Sequence, residues 1–503
     1  MVLGRAFSVA VLGLDGQIVE IEADITSGLP GVHLVGLPDA ALQESRDRVR
    51  AAITNCNDKW PMSRLTLALS PATLPKMGSV YDLALAAAVL SAQRKTPWRT
   101  LETAVVLGEL ALDGRVRPVR GVLPAVLAAK SAGWGVAVVP VENLPEASLV
   151  NGIDVWGVRT LAQLLGWLNG SARLDEPISG SLPEAEPPAD LSDVVGQAQA
   201  RYAVEVAAAG SHHLMLTGPP GVGKTMLAQR LPGLLPPLSN GESLEVTAIH
   251  SVAGLLSDAT PLITRPPFVA PHHSSSVAAL VGGGSGMARP GAVSRAHRGV
   301  LFLDECAEIG VSALEALRTP LEEGEIRLAR RDGVACYPAR FQLVLAANPC
   351  PCAPADPQDC ICAAAVKRRY LGRLSGPLLD RVDLRVEMYP VRMSVFATAE
   401  AESTGQVRRR VTVARDAAAQ RWREHGFRTN AEVSGTLLRR RFRPSTAAME
   451  PLRTALDHGL LSIRGLDKTL RVAWTLSDLA GRTSPGRDEV ATALSFRQPG
   501  ESR

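Results

Sequence analysis

An eight-residue loop near the middle of the chain constrains the fold more than any other feature. It reads Gly-Pro-Pro-Gly-Val-Gly-Lys-Thr, and it stands between an apolar run typical of a buried strand (213–217) and a helical pattern. Glycines at this spacing let the backbone curl so that several N–H groups point at phosphate oxygens, and the helix adds its positive end. The sequence therefore predicts a phosphate-binding loop. The residues expected to contact a nucleotide are Gly218, Pro219, Pro220, Gly221, Val222, Gly223, Lys224, Thr225 and Met226.

A second strand-like run, Gly-Val-Leu-Phe-Leu-Asp at 299–304, ends in an acidic residue and is followed by another. We expect Lys224 of the loop to reach the β- and γ-phosphates of a nucleoside triphosphate. The hydroxyl of Thr225 and the carboxylate of Asp304 are expected to hold Mg²⁺. Glu305 is expected to orient and polarise the attacking water. Together these residues predict Mg²⁺-dependent hydrolysis of ATP.

Three more polar residues complete the predicted catalytic set. Asn348 follows the next strand-like run, where its side chain is expected to position water against the γ-phosphate; a buried turn asparagine is the alternative. Arg381 stands just after a short helical pattern, where such an arginine reaches a neighbouring subunit's γ-phosphate. Arg373 competes for that role, and a structural pair between Arg381 and Asp383 is the alternative. Arg471 lies on a helical pattern near the C-terminus and suits a second sensor of nucleotide state.

A proline-rich, acidic stretch at 173–190 divides the chain and predicts a mobile linker. It separates an N-terminal domain at 1–172 from a domain at 191–392. In the second domain strands alternate with helices, which predicts an α/β fold with a mostly parallel sheet. After residue 392 the strand patterns fade, and helical periodicity predicts a helical third domain at 393–503. The expected strands and helices that matter below are 213–217, 299–304, 341–347, 407–424 and 446–458.

Composition excludes several classes of protein. A hydrophobic content of 46% with 21% charged residues is ordinary for a soluble globular protein. No apolar run approaches the ~18 residues of a membrane span, and the N-terminus does not read as a signal peptide. Four of the seven cysteines lie within thirteen residues, which argues against a secreted disulfide framework. We expect a cytoplasmic protein with no membrane partner.

Positive charge concentrates at the C-terminal end of the chain. Residues 393–503 carry 19 Lys and Arg against 12 Asp and Glu, a net charge of +7, whereas the whole chain carries +4. An excess of positive charge over one domain favours contact with nucleic acid. A helical domain rich in solvated arginine is the alternative, and charge alone does not separate the two.

Several segments around the loop carry a family likeness that extends along nearly the whole chain. On them the chain resembles the YifB/ComM family of magnesium-chelatase-like AAA+ ATPases. The resemblance implies a ring, expected to be a homohexamer, with an AAA+ core between an α+β domain and a helical lid. The segments are Arg-Pro-Pro-Phe-Val-Ala-Pro-His-His-Ser at 265–274, Arg-Pro-Gly-Ala-Val-Ser-Arg-Ala-His-Arg-Gly-Val-Leu-Phe-Leu-Asp-Glu at 289–305, Ala-Asn-Pro-Cys-Pro-Cys at 347–352 and Arg-Gly-Leu-Asp-Lys-Thr-Leu-Arg-Val-Ala at 464–473.

The resemblance also implies two segments that line the pore of the ring. The stretch 257–286, with its Gly-Gly-Gly-Ser-Gly run, fits a flexible insert. The stretch 326–337 reads as a β-hairpin with a tight turn at Asp332-Gly333. Arginines at its tip would suit the phosphates of a threaded DNA strand, and a solvated hairpin arm is the alternative. The arginines expected at or near the tip are Arg327, Arg330 and Arg331.

The N-terminal domain resembles a different enzyme, the proteolytic domain of Lon. The likeness rests on Lys-Met-Gly-Ser-Val-Tyr-Asp at 76–82 and on Leu-Gly-Glu-Leu-Ala-Leu-Asp-Gly-Arg-Val-Arg-Pro-Val-Arg-Gly at 107–121. Lon-type peptidases use a serine and a lysine, and in this alignment those two positions fall on Val80 and Leu123. Neither side chain can do the chemistry. We expect a degenerate domain without peptidase activity.

Four cysteines frame a loop directly after Asn348. Cys350, Cys352, Cys360 and Cys362 follow a C-x-C-x₇-C-x-C pattern, and four thiolates at this spacing could close a tetrahedral zinc site. The C-x-C unit is tighter than the usual C-x-x-C. Free loop thiols and a redox-labile pair of disulfides therefore stay open as alternatives.

Two functional hypotheses follow from these features. The first is a DNA-remodelling motor of the helicase or branch-migration kind, acting in recombination or DNA uptake; the family likeness, the hairpin arginines and the charge of the third domain favour it. The alternative is a protein-remodelling or chelatase-like ATPase without DNA activity. A chelatase needs separate porphyrin-binding and metal-adhesion subunits, which nothing in this chain supplies.

The histidine pair at 272–273 is expected to serve the pore insert or the structure and not to bind metal.

Overall fold

The fold is described from a computed structural model of the chain. Most of the predicted linker, the two ends of the predicted insert (257–259 and 285–286) and the hairpin residues Arg331 and Asp332 lie outside the described residues, and of Arg330 only the backbone is described. The described residues are 3–36, 39–96, 98–177, 189–256, 260–284, 288–330, 333–354, 357–374, 376–391 and 401–497.

The N-terminal part of the chain forms a mixed sheet of seven strands and a separate two-stranded ribbon. In chain order the strands are β1 (Leu3–Leu12), β2 (Asp15–Thr26), β3 (Gly31–Val35), β4 (Arg64–Ser70), β5 (Ala104–Val106), β6 (Glu109–Leu110), β7 (Val116–Arg117), β8 (Val136–Pro140) and β9 (Asp154–Val158). The large sheet has the order β3-β4-β2-β1-β5-β8-β9, and β6 pairs with β7. Within the large sheet β2 pairs antiparallel with β1 and with β4, and the remaining neighbours pair parallel.

Helices cover both faces of this first sheet. The helix Asp82–Ala92 is buried along its whole length, because its run of alanine and leucine lets it pack closely against β1 and β2. Asp82 opens that helix and pairs with Arg48 at 2.7 Å. Burial raises the pKa of Asp82, and the Arg48 guanidinium acts in the opposite direction. The helices of this part are Ala40–Asn55, Asp82–Ala92, Trp98–Leu101, Val122–Ser131, Leu144–Ala147 and Leu161–Leu168.

The middle of the chain is built on a parallel sheet of five strands in the order β11-β14-β17-β10-β18. Its strands are short and almost wholly apolar, as expected for a sheet covered on both faces. The strands of this part are β10 (Leu214–Thr217), β11 (Phe268–Val269), β12 (Gly282–Gly283), β13 (Arg289–Pro290), β14 (Val300–Leu303), β15 (Glu325–Arg330), β16 (Gly333–Pro338), β17 (Gln342–Ala347) and β18 (Leu384–Glu387). The predicted parallel α/β fold is confirmed.

Helices pack on this sheet, and the C-terminal part of the chain is helical throughout the described residues. One core joins one face of the sheet to the C-terminal helices, with Phe302 and Val344 on one side and Trp422 and Leu470 on the other. Within the described residues, no helix is both long and apolar enough to cross a membrane. The helices are Ala198–Gly210, Lys224–Leu234, Asn240–Ala253, Val277–Val281, Ala292–Arg295, Val311–Glu315, Arg318–Glu323, Ala364–Leu371, Gly376–Leu379, Thr404–Trp422, Gly435–Arg440, Thr446–Asp457, Ile463–Leu479 and Arg487–Ser495.

A buried ion pair ties the helix Ile463–Leu479 to the parallel sheet. Lys468 Nζ lies 2.6 Å from Asp383 Oδ1, and Asp383 Oδ2 accepts from the backbone N–H of His213 at 2.9 Å. Burial raises the pKa of Asp383, but its cationic neighbours, Lys468 foremost, together outweigh burial and hold that pKa well below its usual range. Burial also lowers the pKa of His213 to about 4, so this imidazole is neutral at pH 7. The pair fixes the C-terminal helices against the sheet edge.

The hairpin of β15 and β16 leans against the first domain. Its register pairs Ile326 with Tyr337 and Arg330 with Gly333, so the predicted tight turn at Asp332-Gly333 is wrong for Gly333. The difference arises because Gly333 extends β16 and pairs in the ladder. A Cβ atom at Gly13, between β1 and β2, would lie 2.7 Å from the carbonyl oxygen of Cys336 in β16. The two backbones therefore approach as closely as a glycine allows.

Candidate active site

The predicted phosphate-binding loop joins β10 to the helix Lys224–Leu234. Gly221 and Gly223 have φ angles of 79° and 94°, in the left-handed region that glycine adopts without strain. They curl the loop at the carboxyl edge of the parallel sheet. Open α/β sheets bind their ligands at this edge.

The side chain of Lys224 folds back over the loop. Its Nζ donates to the carbonyl oxygens of Gly218 at 2.6 Å and Pro219 at 2.9 Å, and to Oδ1 of Asn348 at 3.0 Å. Burial lowers the pKa of Lys224, while two nearby carboxylates act in the opposite direction. The ammonium group thus lies between β10 and β17, where the phosphates of a bound nucleotide would give it an anionic partner.

Thr225 and Asp304 are spaced as two neighbouring ligands of one Mg²⁺. Thr225 Oγ1 donates to Asp304 Oδ2 at 2.7 Å. Mg²⁺ takes oxygen ligands at about 2.1 Å in an octahedron, which sets adjacent ligand oxygens about 3.0 Å apart. The donor atoms and their separation fit this ion, and the assignment of both residues as its ligands stays a prediction.

Glu305 lies beside this pair on the solvent side. Its backbone has a φ of 47°, unusual for a residue with a side chain, and its N–H donates to Asp304 Oδ1 at 2.9 Å. Its Oε2 lies 3.0 Å from Nδ1 of His273, and 49% of the side chain is exposed. A carboxylate accepts only, so the imidazole supplies the proton of this contact. The carboxylate expected to polarise water is therefore already held by a histidine.

His273 is the site residue that sequence reasoning missed. It comes shortly after β11, and β11 pairs in parallel with β14, the strand that Asp304 follows. Residues that follow neighbouring parallel strands meet at one edge, but the sequence predicts no strand at 268–269, so this contact could not be found from it. The adjacent His272 stacks on it with ring centroids 4.1 Å apart but bonds elsewhere, Nδ1 to Ser274 Oγ at 2.7 Å.

The two arginines expected to act on a neighbouring subunit both have partners within the chain. Arg381 pairs with Glu322, and 11% of its side chain is exposed. Arg373 pairs with Glu308 at 2.9 Å, and 47% of its side chain is exposed. Asp383, the partner considered for Arg381 from the sequence, pairs with a lysine instead. Neither assignment to a neighbouring site is tested by these contacts, and both stay predictions.

Arg471 lies one turn after Lys468 on the helix Ile463–Leu479. Its Nε donates to the carbonyl oxygen of Val433 at 2.7 Å, within the helical part of the chain. Its role as a second sensor stays a prediction.

Arg327 is the hairpin arginine whose side chain the structure describes. It lies on β15, pairs with Glu325 at 2.5 Å, and is 66% exposed. Charge and exposure suit a phosphate contact.

The ends of three parallel strands thus bring together what an enzyme needs to bind and cleave a triphosphate. The loop after β10 supplies the cradle and its lysine, the end of β14 supplies the carboxylates, and the end of β17 supplies the asparagine. A helical domain packs on the same sheet. This arrangement defines a P-loop ATPase of the AAA+ class.

Comparison with known proteins identifies the family. Residues 190–396 match the family described as magnesium chelatase, subunit ChlI; residues 21–143 and 401–497 match two further ChlI descriptions, the second being its C-terminal part. An uncharacterized protein of Mycobacterium tuberculosis is 82% identical over the full length of both chains. Escherichia coli YifB is 39% identical over 97% of this chain and 96% of its own. Haemophilus influenzae competence protein ComM is 37% identical over 99% of this chain and 98% of its own. The chain belongs to the YifB/ComM family of magnesium-chelatase-like AAA+ ATPases.

A Lon protease also matches part of the chain. Lon protease of Mycolicibacterium smegmatis is 28% identical over 173 residues, which is 32% of this chain and 22% of that protein. In the structure Ser79 donates to Glu109, and Lys76 donates to the carbonyl oxygen of Pro71. Lys76 and Ser79, the lysine and the serine of the segment 76–82, therefore each have another hydrogen-bond partner. The absence of peptidase activity stays a prediction.

Replacing Glu305 with Gln is expected to preserve ATP binding and to lower steady-state turnover by about 10²-fold or more, because an amide cannot accept a proton from water. Turnover and nucleotide affinity would be measured on the same preparation. A variant that hydrolyses ATP within a few-fold of wild type contradicts the assignment of Glu305.

Replacing His273 with Ala is expected to raise basal ATP turnover. The imidazole occupies the carboxylate that must face water, and loss of one hydrogen bond of about 1 kcal/mol corresponds to a roughly fivefold change in rate. His272→Ala is the matched control, since its ring bonds Ser274, and it should leave turnover unchanged. Loss of turnover in His273→Ala would mean that this histidine positions Glu305 for catalysis and does not restrain it.

Proposed function

We propose that this protein is a ring-forming motor that couples ATP hydrolysis to the remodelling of DNA. The observation that carries the proposal is the hairpin of β15 and β16 with its exposed Arg327. In the chain it lies between β14, which precedes the catalytic carboxylates, and β17, which precedes Asn348. β14 ends at Leu303, the hairpin occupies residues 325–338, and β17 begins at Gln342. A DNA contact at this hairpin would therefore act on both sides of the ATP site.

The chemistry of hydrolysis follows from the residues at the sheet edge. Backbone N–H groups of the loop would bind the phosphate oxygens, and Lys224 would exchange its carbonyl partners for the β- and γ-phosphates. Glu305, once released from His273, would accept a proton from water while the oxygen of that water attacks the γ-phosphorus. The bond to the bridging oxygen then breaks and ADP leaves. Mg²⁺ held by Thr225 and Asp304 would neutralise the charge that develops on that oxygen.

A ring is favoured because, among the described contacts of a single chain, no arginine reaches the catalytic residues. The described hydrogen bonds of Lys224, Thr225, Asp304 and Glu305 include none from an arginine. Phosphoryl transfer in P-loop enzymes is accelerated by an arginine that neutralises the transition state. We propose that a neighbouring subunit supplies it, with Arg381 as the first candidate and the more exposed Arg373 as the second. A homohexamer would place this residue once at every interface.

DNA is favoured over protein as the substrate by charge. The C-terminal part carries the net +7, and Arg327 on the hairpin projects a largely exposed guanidinium. Phosphate contacts of this kind fix a strand without reading its sequence. The relative ComM is named as a competence protein, and competence is the uptake of DNA. Helicase or branch-migration activity in recombination or DNA uptake is the form of remodelling we propose.

Replacing Arg327, Arg330 and Arg331 together with Ala is expected to weaken DNA binding across sequences. It should also flatten the dependence of affinity on salt, by about 0.9 units of log–log slope for each duplex phosphate that the variant no longer neutralises. Binding to forked and four-way DNA would be measured at several salt concentrations, with a non-hydrolysable ATP analogue present. Basal ATPase should survive, because the described contact of Arg327 is with Glu325 and not with a catalytic group.

The matched control removes the same charge elsewhere. Arg46, Arg50 and Arg64 are exposed residues of the first domain, and their triple replacement with Ala should keep the wild-type slope. An equal decrease of slope in both variants would indicate a general charge effect and refute the hairpin contact. Assembled wild-type rings without DNA affinity at low salt would refute the DNA motor and favour protein remodelling.

A further inference from the structure

Four sulfur atoms converge beside the catalytic edge of the sheet. The Sγ atoms of Cys350, Cys352, Cys360 and Cys362 all lie within 4.8 Å of one another, and among the described residues no other group of histidine, cysteine or acidic side chains meets the same condition. Three of the pairwise distances are 3.4, 3.4 and 3.6 Å. Cysteines at two separate places in the chain thus meet at one point.

The distances discriminate between the three states that the sequence left open. A disulfide needs sulfurs about 2.05 Å apart, well below the separations found here. Unconnected loop thiols have no reason to place four sulfurs in mutual contact. Zinc bound by four thiolates at about 2.3 Å in a tetrahedron sets neighbouring sulfurs about 3.8 Å apart. The three distances of 3.4 to 3.6 Å lie much closer to that figure than to the disulfide length, so the cluster fits a tetrahedral metal site.

The surroundings suit the charge of such a site. Zn²⁺ with four thiolates carries a net charge of −2, which a nearby cation stabilises. Lys367, in the helix Ala364–Leu371, hydrogen-bonds Cys360, and two arginines follow it in the same helix. Cys350 is buried at 2% exposure, whereas Cys352 is exposed, so the cluster lies at the surface with one ligand anchored in the core.

We infer that these four cysteines bind one structural Zn²⁺ per chain. The site joins two elements that the ATPase needs in register. Cys350 and Cys352 directly follow Asn348 at the end of β17, and Cys360 and Cys362 directly precede the helix Ala364–Leu371. Four protein ligands close the coordination sphere, which is typical of structural zinc and leaves no open position for catalysis. The metal fastens the start of this helix to the strand end that carries the asparagine.

The first test is elemental analysis of reduced, folded wild-type protein purified without added metal or an affinity tag that binds metal. We expect about one zinc per chain. Exchange with Co²⁺ should give the intense visible absorption of tetrahedral thiolate-bound cobalt, which reports the ligands independently of activity. A stoichiometry near zero with no uptake of Zn²⁺ or Co²⁺ would overturn the inference in favour of free thiols. A mass lower by four hydrogens in unreduced protein would overturn it in favour of two disulfides.

A variant pair assigns the ligands. Cys352→Ser with Cys360→Ser should lower bound zinc at least tenfold, while Cys56→Ser, a partly buried cysteine of the first domain, should keep it at one per chain. Circular dichroism would confirm that the double variant folds; if it does not fold, the cobalt spectrum of the wild type carries the test. Full retention of zinc in the folded double variant would contradict the assignment.

Discussion

Parallel pairing of β10, β14 and β17 is the constraint on which the rest of the site depends. Thr217 aligns with Ala347, and Leu303 aligns with Leu345, so the residues that follow each strand emerge at one edge. Lys224 can then reach Asn348, and Thr225 can reach Asp304, without any strained approach of the chain. A shift of β10 by two residues, about 6–7 Å, would break both hydrogen bonds, and a shift of β14 or β17 would break one of them. The apolar core on both faces of the sheet fixes that register.

The same edge explains how distant segments can sense the nucleotide. His273 brings the segment after β11 to Glu305, and the hairpin lies in the chain between the carboxylates and Asn348. The four-cysteine cluster continues from Asn348 into the helix Ala364–Leu371. The segment of His273 contacts a catalytic residue, the cysteine cluster follows one directly, and the hairpin ends at Pro338, ten residues before Asn348. A motor needs such connections, because hydrolysis has to move something that is not the site itself.

Much of this arrangement could be predicted from the sequence, because local patterns determine it. The expected strand at 341–347 appears as Gln342–Ala347, and the helix expected at 446–458 appears as Thr446–Asp457. The P-loop, the Mg²⁺ ligand pair and the contact of Asn348 follow from residue type at a strand end. The partners of Glu305 and Arg381 could not be predicted, since His273 and Glu322 come from elements whose packing no local pattern encodes. The predicted tight turn at Asp332-Gly333 was wrong for Gly333 for a related reason. Asp-Gly is a strong turn signal, but cross-strand pairing with Arg330 places Gly333 in the ladder.

The central claim is that DNA contact and ATP hydrolysis are coupled in one ring. The most direct measurement is the rate of ATP turnover by the wild-type protein with and without saturating forked DNA, at one salt concentration and at a protein concentration that assembles rings. Our account predicts that DNA raises turnover several-fold. An unchanged rate in the presence of bound DNA would contradict the coupling.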